Sequence, residues 1–167
     1  MSATATLIQE LDQECRTTRR VLERVPSDKL GWKPHPKSMS LGQLAMHVAS
    51  VPGFITGWAL KDSVEWTPGS RPDPASTSDV LAAHDEGTAT ARNALTAIGD
   101  AGLGAMWAMK TPDGKTIMSM PKGALVRSVA FNHLYHHRGQ LSVYLRLLDV
   151  PVPSIYGPSA DEGPGGA

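Results

Sequence analysis

Two histidines on one face of a helical segment are the residues of this sequence best suited to chemistry. The segment 124–148 carries apolar residues at the three- and four-residue spacing that is typical of a buried helix face. His133 and His137 lie on that face one turn apart, with Cβ atoms about 6 Å from each other. Two imidazoles in this arrangement can bind one divalent metal ion. His136 is the alternative second ligand, although it lies on the flank of the helix.

A third histidine on another helix would complete such a site. His47 lies among apolar residues of a predicted second helix, on the face that we expect to be buried. Three neutral imidazoles suit Zn, Ni, Fe(II) or Cu and leave coordination positions open for water. His84, on the predicted third helix, is the competitor for a ligand role, but its position indicates a polar histidine at a helix margin. His35, between two prolines, is expected to be exposed.

Helical periodicity predicts the elements that position these histidines. Ser40 and Gln43 have the spacing of a capping box at the start of the second helix. Residues 99–120 break the helical period around a Pro-Asp-Gly turn, which predicts a small hairpin or an irregular crossover. The fold class is therefore all-α, a four-helix bundle with a small irregular or hairpin insertion before the last helix. The predicted helices cover about residues 4–25 and 41–58, a third that Thr77 or Ser78 caps and that ends at about Ile98, and 124–148.

The composition is that of one ordinary domain. The chain has 167 residues, with 16 basic and 16 acidic side chains that form no blocks, so a nucleic-acid surface is not expected. The lone cysteine, Cys15, fits a reducing cytoplasm, and neither a signal peptide nor a membrane-spanning segment is predicted. We expect a soluble cytoplasmic protein with one domain over residues 1–160 and a flexible tail over 161–167. The Pro-, Gly- and Ser-rich segment 61–76 predicts a mobile loop.

Several segments together resemble the DinB/YfiT-like family of four-helix-bundle metalloproteins. The most specific is NHLYHHRGQL at 132–141, and LAMHVA at 44–49 and LRLLDVPVPSIYGPS at 145–159 also fit. The phrase LGWKP at 30–34 is a weaker match. The resemblance covers most of residues 5–160.

This resemblance implies helices that run up, down, down and up, and a metal ion held by His47, His133 and His137. Characterised relatives include thiol S-transferases that use mycothiol or bacillithiol, and an isomerase related to them. The family also commonly forms homodimers, so a homodimer is expected here.

Two functions from different classes remain open. The first is a metal-dependent hydrolase or thiol S-transferase acting on a small molecule, with a divalent ion (Zn, Ni or Fe) and a low-molecular-weight thiol as cosubstrate. The second is a non-catalytic metal-binding or stress-response protein that forms a dimer. No carboxylate falls within one turn of His133 or His137, so the sequence names no general base. Metal-bound water would then carry the catalytic role.

Residues near the histidines and in the insertion add three expectations. Arg138 is expected at a surface or dimer contact, or simply solvated, and Gln140 can hydrogen-bond toward an imidazole and orient it. Apolar side chains of the insertion are expected to lie on the surface of the single chain. In the expected homodimer a second copy of the chain buries them. These side chains are Met106, Trp107, Met109, Met118 and Met120.

Overall fold

Four helices form the body of the computed structural model, which describes residues 2–67, 69 and 72–163. Serine side chains at Ser2, Ser40 and Ser76 cap the first three helices, because each accepts a bond from an otherwise unpaired backbone N–H. At Ser40 the predicted capping box with Gln43 is present. The first three helices are α1 (Ala3–Leu22), α2 (Leu41–Trp58) and α3 (Thr77–Gly102). The last helix, α4, has consecutive stretches Lys122–Ala124, Leu125–Phe131 and Asn132–Leu147.

Helices α1 and α3 run in opposite directions. The backbone N–H of Thr4 donates to Asp100 at 2.8 Å, whereas Nε of Arg19 donates to Asp85 at 3.1 Å. Early residues of α1 therefore meet late residues of α3. The backbone of α3 departs from helical geometry at Gly99, where φ is 56°, immediately after the end predicted at Ile98.

Helices α2 and α3 run in the same direction and lie very close together. A Cβ atom added at Gly53 would lie 2.7 Å from the Cα of Gly87. One added at Gly42 would lie 2.8 Å from a ring carbon of Pro74, just before α3. Only glycine fits at these two positions of α2, so the sequence sets the distance between the two helices.

Helix α4 runs parallel to α1. The hydroxyl of Tyr135 donates to Glu10 at 2.7 Å, and Nη2 of Arg138 donates to Glu14 at 2.6 Å. Residue numbers therefore increase in the same direction along both helices. Together with the directions of α2 and α3, this gives helices that run up, down, down and up in chain order. The resemblance to the family implies this same order.

A three-stranded sheet lies beside the bundle, so the strict all-α prediction is not confirmed. The predicted hairpin is present as β2 (Met106–Lys110) and β3 (Thr116–Pro121), which pair antiparallel. The third strand, β1 (Ser63–Glu65), pairs parallel with β2 and lies within the segment predicted to be a mobile loop. Each of its residues pairs with one 45 positions further along the chain, as Ser63 does with Ala108, so no local sequence pattern could predict the pairing.

Part of the hairpin belongs to the core. Trp107 and Met109 are buried, so the prediction that they are exposed was wrong. Their side chains point to one face of β2, which packs on the bundle. Met106 and Met118 remain exposed, and Cys15 is buried in the core as predicted. No described helix has the length and hydropathy that crossing a membrane requires.

The chain after α4 folds back along the bundle. Val152 is buried, and the side chain of Asp161 accepts its backbone N–H at 2.9 Å. Glu162 pairs with Arg20 and with Arg24. Two residues of the predicted flexible tail 161–167 are therefore bonded to the domain, whereas 164–167 lie outside the described residues. The predicted domain boundary stays a prediction.

Candidate metal centre

The structure brings His47, His133 and His137 together. One ligand atom from each imidazole lies within 4.8 Å of those of the other two. Nε2 of His47 lies 2.9 Å from Nε2 of His133, and the rings of His47 and His137 have centroids 4.5 Å apart. All three side chains are half-buried. They form a group at the boundary between the core and solvent, across the contact between α2 and α4.

The donor set and its spacing fit a divalent ion. Imidazole nitrogens that bind one zinc ion at about 2.0–2.1 Å with tetrahedral angles lie about 3.3 Å apart. The separations here bracket that value, from 2.9 Å for one pair to the 4.8 Å limit for the group. Among the residues that the structure describes, the group contains histidines and no carboxylate or cysteine. Such a nitrogen set suits Zn, Ni, Fe(II) or Cu.

Gln140 fixes the orientation of one imidazole. Its Oε1 lies 2.7 Å from Nδ1 of His137, one turn earlier on the same helix. Since an amide oxygen accepts, Nδ1 carries the proton, and Nε2 is the nitrogen of His137 that can bind a metal ion. The predicted hydrogen bond between Gln140 and an imidazole is therefore present, with the imidazole as the donor.

A π-helical stretch precedes the two histidines of α4. Residues Leu125–Phe131 form this stretch, and α-helical geometry resumes at Asn132, immediately before His133. A π-turn contains an extra residue compared with an α-turn, so it rotates the helix that follows it and is frequent at functional sites. The sequence predicted one regular helix over 124–148 and missed this feature, because the apolar spacing of four is common to both geometries.

The other histidines lie outside the group. His136 and His35 are exposed. His84 is only 1% exposed, and its Nε2 lies 3.0 Å from the carbonyl oxygen of Cys15. The sequence predicted a polar histidine at the helix margin, whereas the ring is buried in the core, so this prediction was wrong. Burial lowers the pKa of His84, partly offset by the bond to Cys15, so the ring stays neutral.

Arg138, directly after His137, corrects another expectation. Its side chain is 1% exposed and points to the opposite side of α4, into the core beside α1. The guanidinium donates to the Glu14 carboxylate at 2.6 Å and to the Thr18 hydroxyl at 3.0 Å. The prediction of a surface or solvated arginine was wrong, because its partner Glu14 lies 124 residues away in sequence.

Tyr156, after α4, extends this network to the surface, because its side chain is exposed. Its hydroxyl accepts from Arg138 at 2.6 Å and donates to Glu14 at 2.9 Å. Burial of the hydroxyl and its bond to Glu14 raise the pKa of Tyr156 to about 12, against the opposing charge of Arg138. The phenol therefore remains a donor at neutral pH. The network joins α1, α4 and the C-terminal segment on the side of α4 away from the histidines.

Comparison with known sequences gives matches along nearly the whole chain. The sequence profile of the DinB family matches residues 1–164. Uncharacterized protein YrdA of Bacillus subtilis strain 168 is 27% identical over 153 residues, which cover 89% of this chain and 85% of YrdA.

Two solved structures have a similar fold. A DinB-like protein from Bacillus cereus ATCC 10987 superposes with a TM-score of 0.68 at 22% identity, covering 90% of this chain and 95% of its own. The DinB-like protein YjoA from Bacillus subtilis also reaches 0.68, at 18% identity, covering 90% of this chain and 96% of its own. At these identities the similarity concerns the fold.

Proposed function

This chain belongs to the DinB family, and we propose that it binds a divalent metal ion through His47, His133 and His137 to catalyse a reaction on a small molecule. The convergence of three imidazoles from two helices carries the proposal. Imidazole groups gathered at half-buried positions repel one another when protonated, and a shared metal ion is the ordinary reason for such an arrangement.

The geometry is that of an open site. Three protein ligands leave at least one coordination position of a zinc-like ion for an exogenous ligand, whereas a structural site supplies four protein ligands. Among the described residues, no fourth histidine, cysteine or carboxylate joins the group. Half-burial of the three rings leaves an approach from solvent. These features support an enzyme over a purely structural metal site.

The residues of this chain hold and orient the group. His47 supplies a ligand from α2, and His133 and His137 supply two from α4. Gln140 keeps His137 in the tautomer with its proton on Nδ1. An ion held by these residues supplies a Lewis acid that lowers the pKa of a thiol or water ligand.

Between the two reaction classes, thiol S-transfer is favoured over hydrolysis. Hydrolysis at a metal centre commonly employs a carboxylate as general base, and none lies within one turn of His133 or His137. A thiol has a much lower pKa than water, so it reaches its reactive thiolate form without such a base. The cosubstrate that we propose is a low-molecular-weight thiol of the mycothiol or bacillithiol type.

The experiment measures metal first and turnover second. Elemental analysis of the purified protein should find about one divalent ion per chain, which is lost in His47→Ala and retained in the matched control His136→Ala. The metal-loaded protein is then assayed with mycothiol, bacillithiol or cysteine and an electrophilic aryl chloride, and separately with ester and amide substrates.

The outcomes separate the alternatives. Thiol-dependent turnover that disappears in His47→Ala supports the transferase, and thiol-independent turnover of esters or amides supports the hydrolase. Bound metal with no turnover in either assay supports the non-catalytic metal-binding protein. Absence of metal from protein that has been incubated with Zn, Ni and Fe(II) would refute the proposal.

A homodimer and a cytoplasmic location are further parts of this proposal. The exposed apolar side chains Met106, Ile117 and Met118 on the outer part of the sheet support a dimer. The single cysteine is compatible with a reducing compartment.

A further inference from the structure

Two aromatic side chains of α2 form an exposed pair near its C-terminal end. Phe54 is 60% exposed, and its ring lies 4.6 Å from that of the half-buried Trp58, centroid to centroid. Trp58 in turn stacks on the buried Trp107 of β2, with centroids 6.1 Å apart and planes 15° from parallel. The pair therefore packs against the core through Trp107 and presents an apolar surface to solvent.

This pair lies on the same face of α2 as the metal ligand His47. Phe54 follows His47 by seven residues and Trp58 follows it by eleven. In a regular helix of 3.6 residues per turn, these two positions lie within about 20° of His47, one on either side. At 1.5 Å per residue they lie about 10 Å and about 16 Å further along the axis.

Helix α4 runs alongside this part of α2. Tyr144 bonds the carbonyl oxygen of Met39, before α2, whereas His133 meets His47 further along it. The two helices are thus antiparallel, and the stretch of α4 before His133 lies beside the end of α2 that carries Phe54. That stretch is the π-helical one, and it packs directly against α2.

We propose that Phe54 and Trp58 bind an aromatic or flat apolar group of the substrate whose polar end lies at the three histidines. The inference rests on the proposed metal site and names the substrate class. The substrate carries an oxygen or sulfur donor at one end and an apolar ring about 10 Å away. Rigid aromatic side chains suit this role, because they offer large contact areas at a small cost in conformational entropy.

The occupant is a small molecule and not a second copy of the chain, because the pair is aligned with His47. A dimer contact does not require its residues to lie on the same helix face as a metal ligand, whereas a substrate bound at the metal ion does. The oligomeric state of the wild type and of Phe54→Ala is measured by analytical ultracentrifugation, so that the second occupant is tested directly.

The probes are hydroxamates, which bind a metal ion with one end and carry a variable tail. Phenylhexanohydroxamate places its ring about 10 Å from the metal, phenylacetohydroxamate places it beside the metal, and acetohydroxamate has no ring. Affinities are measured by calorimetry on the metal-loaded protein and on Phe54→Ala. Leu147→Ala, an exposed apolar residue near the end of α4, is the matched control.

Phenylhexanohydroxamate should bind about 5- to 10-fold more weakly to Phe54→Ala than to the wild type, the range expected for loss of one aromatic contact. Phe54→Tyr should retain the affinity. Acetohydroxamate and phenylacetohydroxamate should bind equally to all variants, and Leu147→Ala should behave as the wild type.

Failure of the metal site and failure of this inference give different results. If no metal is bound, or acetohydroxamate does not bind, the proposed function fails. If acetohydroxamate binds but Phe54→Ala leaves the affinity of the long probe unchanged, the inference alone is overturned. Conversion of a dimer to a monomer by Phe54→Ala, with unchanged affinity for the long probe, would assign the pair to a dimer contact and also overturn it.

Discussion

Nδ1 of His137 and Oε1 of Gln140 lie 2.7 Å apart, one helical turn from each other. The hydrogen bond between them selects the tautomer and the ring orientation of His137. Metal-binding histidines almost always make such a bond with their second nitrogen, and it raises the basicity of the ligand. Gln140 itself is exposed, so this role in the site is separable from the folding of α4.

Replacing Gln140 with leucine should therefore weaken metal binding without unfolding the protein. We expect metal affinity to fall about 10-fold in Gln140→Leu, within the range seen when such partners are lost. Gln140→Glu, which keeps an acceptor, should retain the affinity. Competition with a chromogenic chelator measures both. Equal affinities for wild type and Gln140→Leu would show that the hydrogen bond does not orient a metal ligand.

Removal of metal should lower stability at neutral pH but leave the protein folded. A ligand that binds only the native state stabilises it by about 2.7 kcal/mol at 100 times its Kd, which is roughly 5–10 °C in Tm for a chain of this size. The apolar core does not depend on the histidines. Thermal melting with and without chelator checks this. The His133→Ala variant should show no chelator effect, and His136→Ala should show the full effect.

The buried pair of Arg138 and Glu14 should be among the most sensitive positions of the fold. Arg138→Ala leaves the Glu14 carboxylate buried without its cation, which typically costs about 3–5 kcal/mol. Arg127, which pairs with Glu10 at the surface, provides the control, and Arg127→Ala should cost less than about 1 kcal/mol. Urea denaturation measures both. A cost below about 1 kcal/mol for Arg138→Ala would contradict the structure.

The pH dependence of stability should include a contribution from His84. Burial lowers the pKa of this ring in the folded state, so below pH of about 6.5 the unfolded chain takes up a proton that the folded chain does not. Stability should therefore fall with pH below that value, by at most about 1.4 kcal/mol per pH unit for one proton.

His84→Gln tests this contribution, because its amide can still donate to the carbonyl of Cys15 but cannot be protonated. Both proteins are measured after chelation. As pH falls from about 7 to 5, the unfolding free energy of the wild type should decrease more than that of His84→Gln. A difference that stays constant over this range would show that His84 is not a buried neutral ring.

The proposed homodimer should depend on the exposed strand β3. Ile117 and Met118 are exposed on this strand at the edge of the sheet, where unpaired backbone groups and apolar side chains favour association. Ile117→Lys should convert the dimer to a monomer in analytical ultracentrifugation. Val143→Lys, an equally exposed position on α4, is the control. A wild-type monomer at micromolar concentration would refute the dimer.

Much of the bundle could be predicted from the sequence because its signals are local. The capping box at Ser40 and Gln43 and the helical spacing of His133 and His137 lie within a few residues of each other. Each fixes which side chains share a face without any knowledge of the partner. The three histidines could therefore be grouped before the fold was known, and the family resemblance is confirmed. That they bind metal stays a prediction.

The features that were missed depend on distant partners. Arg138 follows a candidate ligand and carries a charge, and nothing nearby in the sequence identifies Glu14 as its buried partner. Trp107 and Met109 belong to a strand whose inner face is defined only by the helices behind it. The strand Ser63–Glu65 has three residues, too few to show an alternating pattern.

The network of Glu14, Arg138 and Tyr156 also has a consequence for the order of folding events. The hydroxyl of Tyr156 meets the carboxylate of Glu14 across 142 residues of sequence, and closing so long a loop costs chain entropy before any contact repays it. These contacts should therefore form after the folding transition state. Weakening them should accelerate unfolding and leave the folding rate nearly unchanged. The network therefore slows the unfolding of the native bundle.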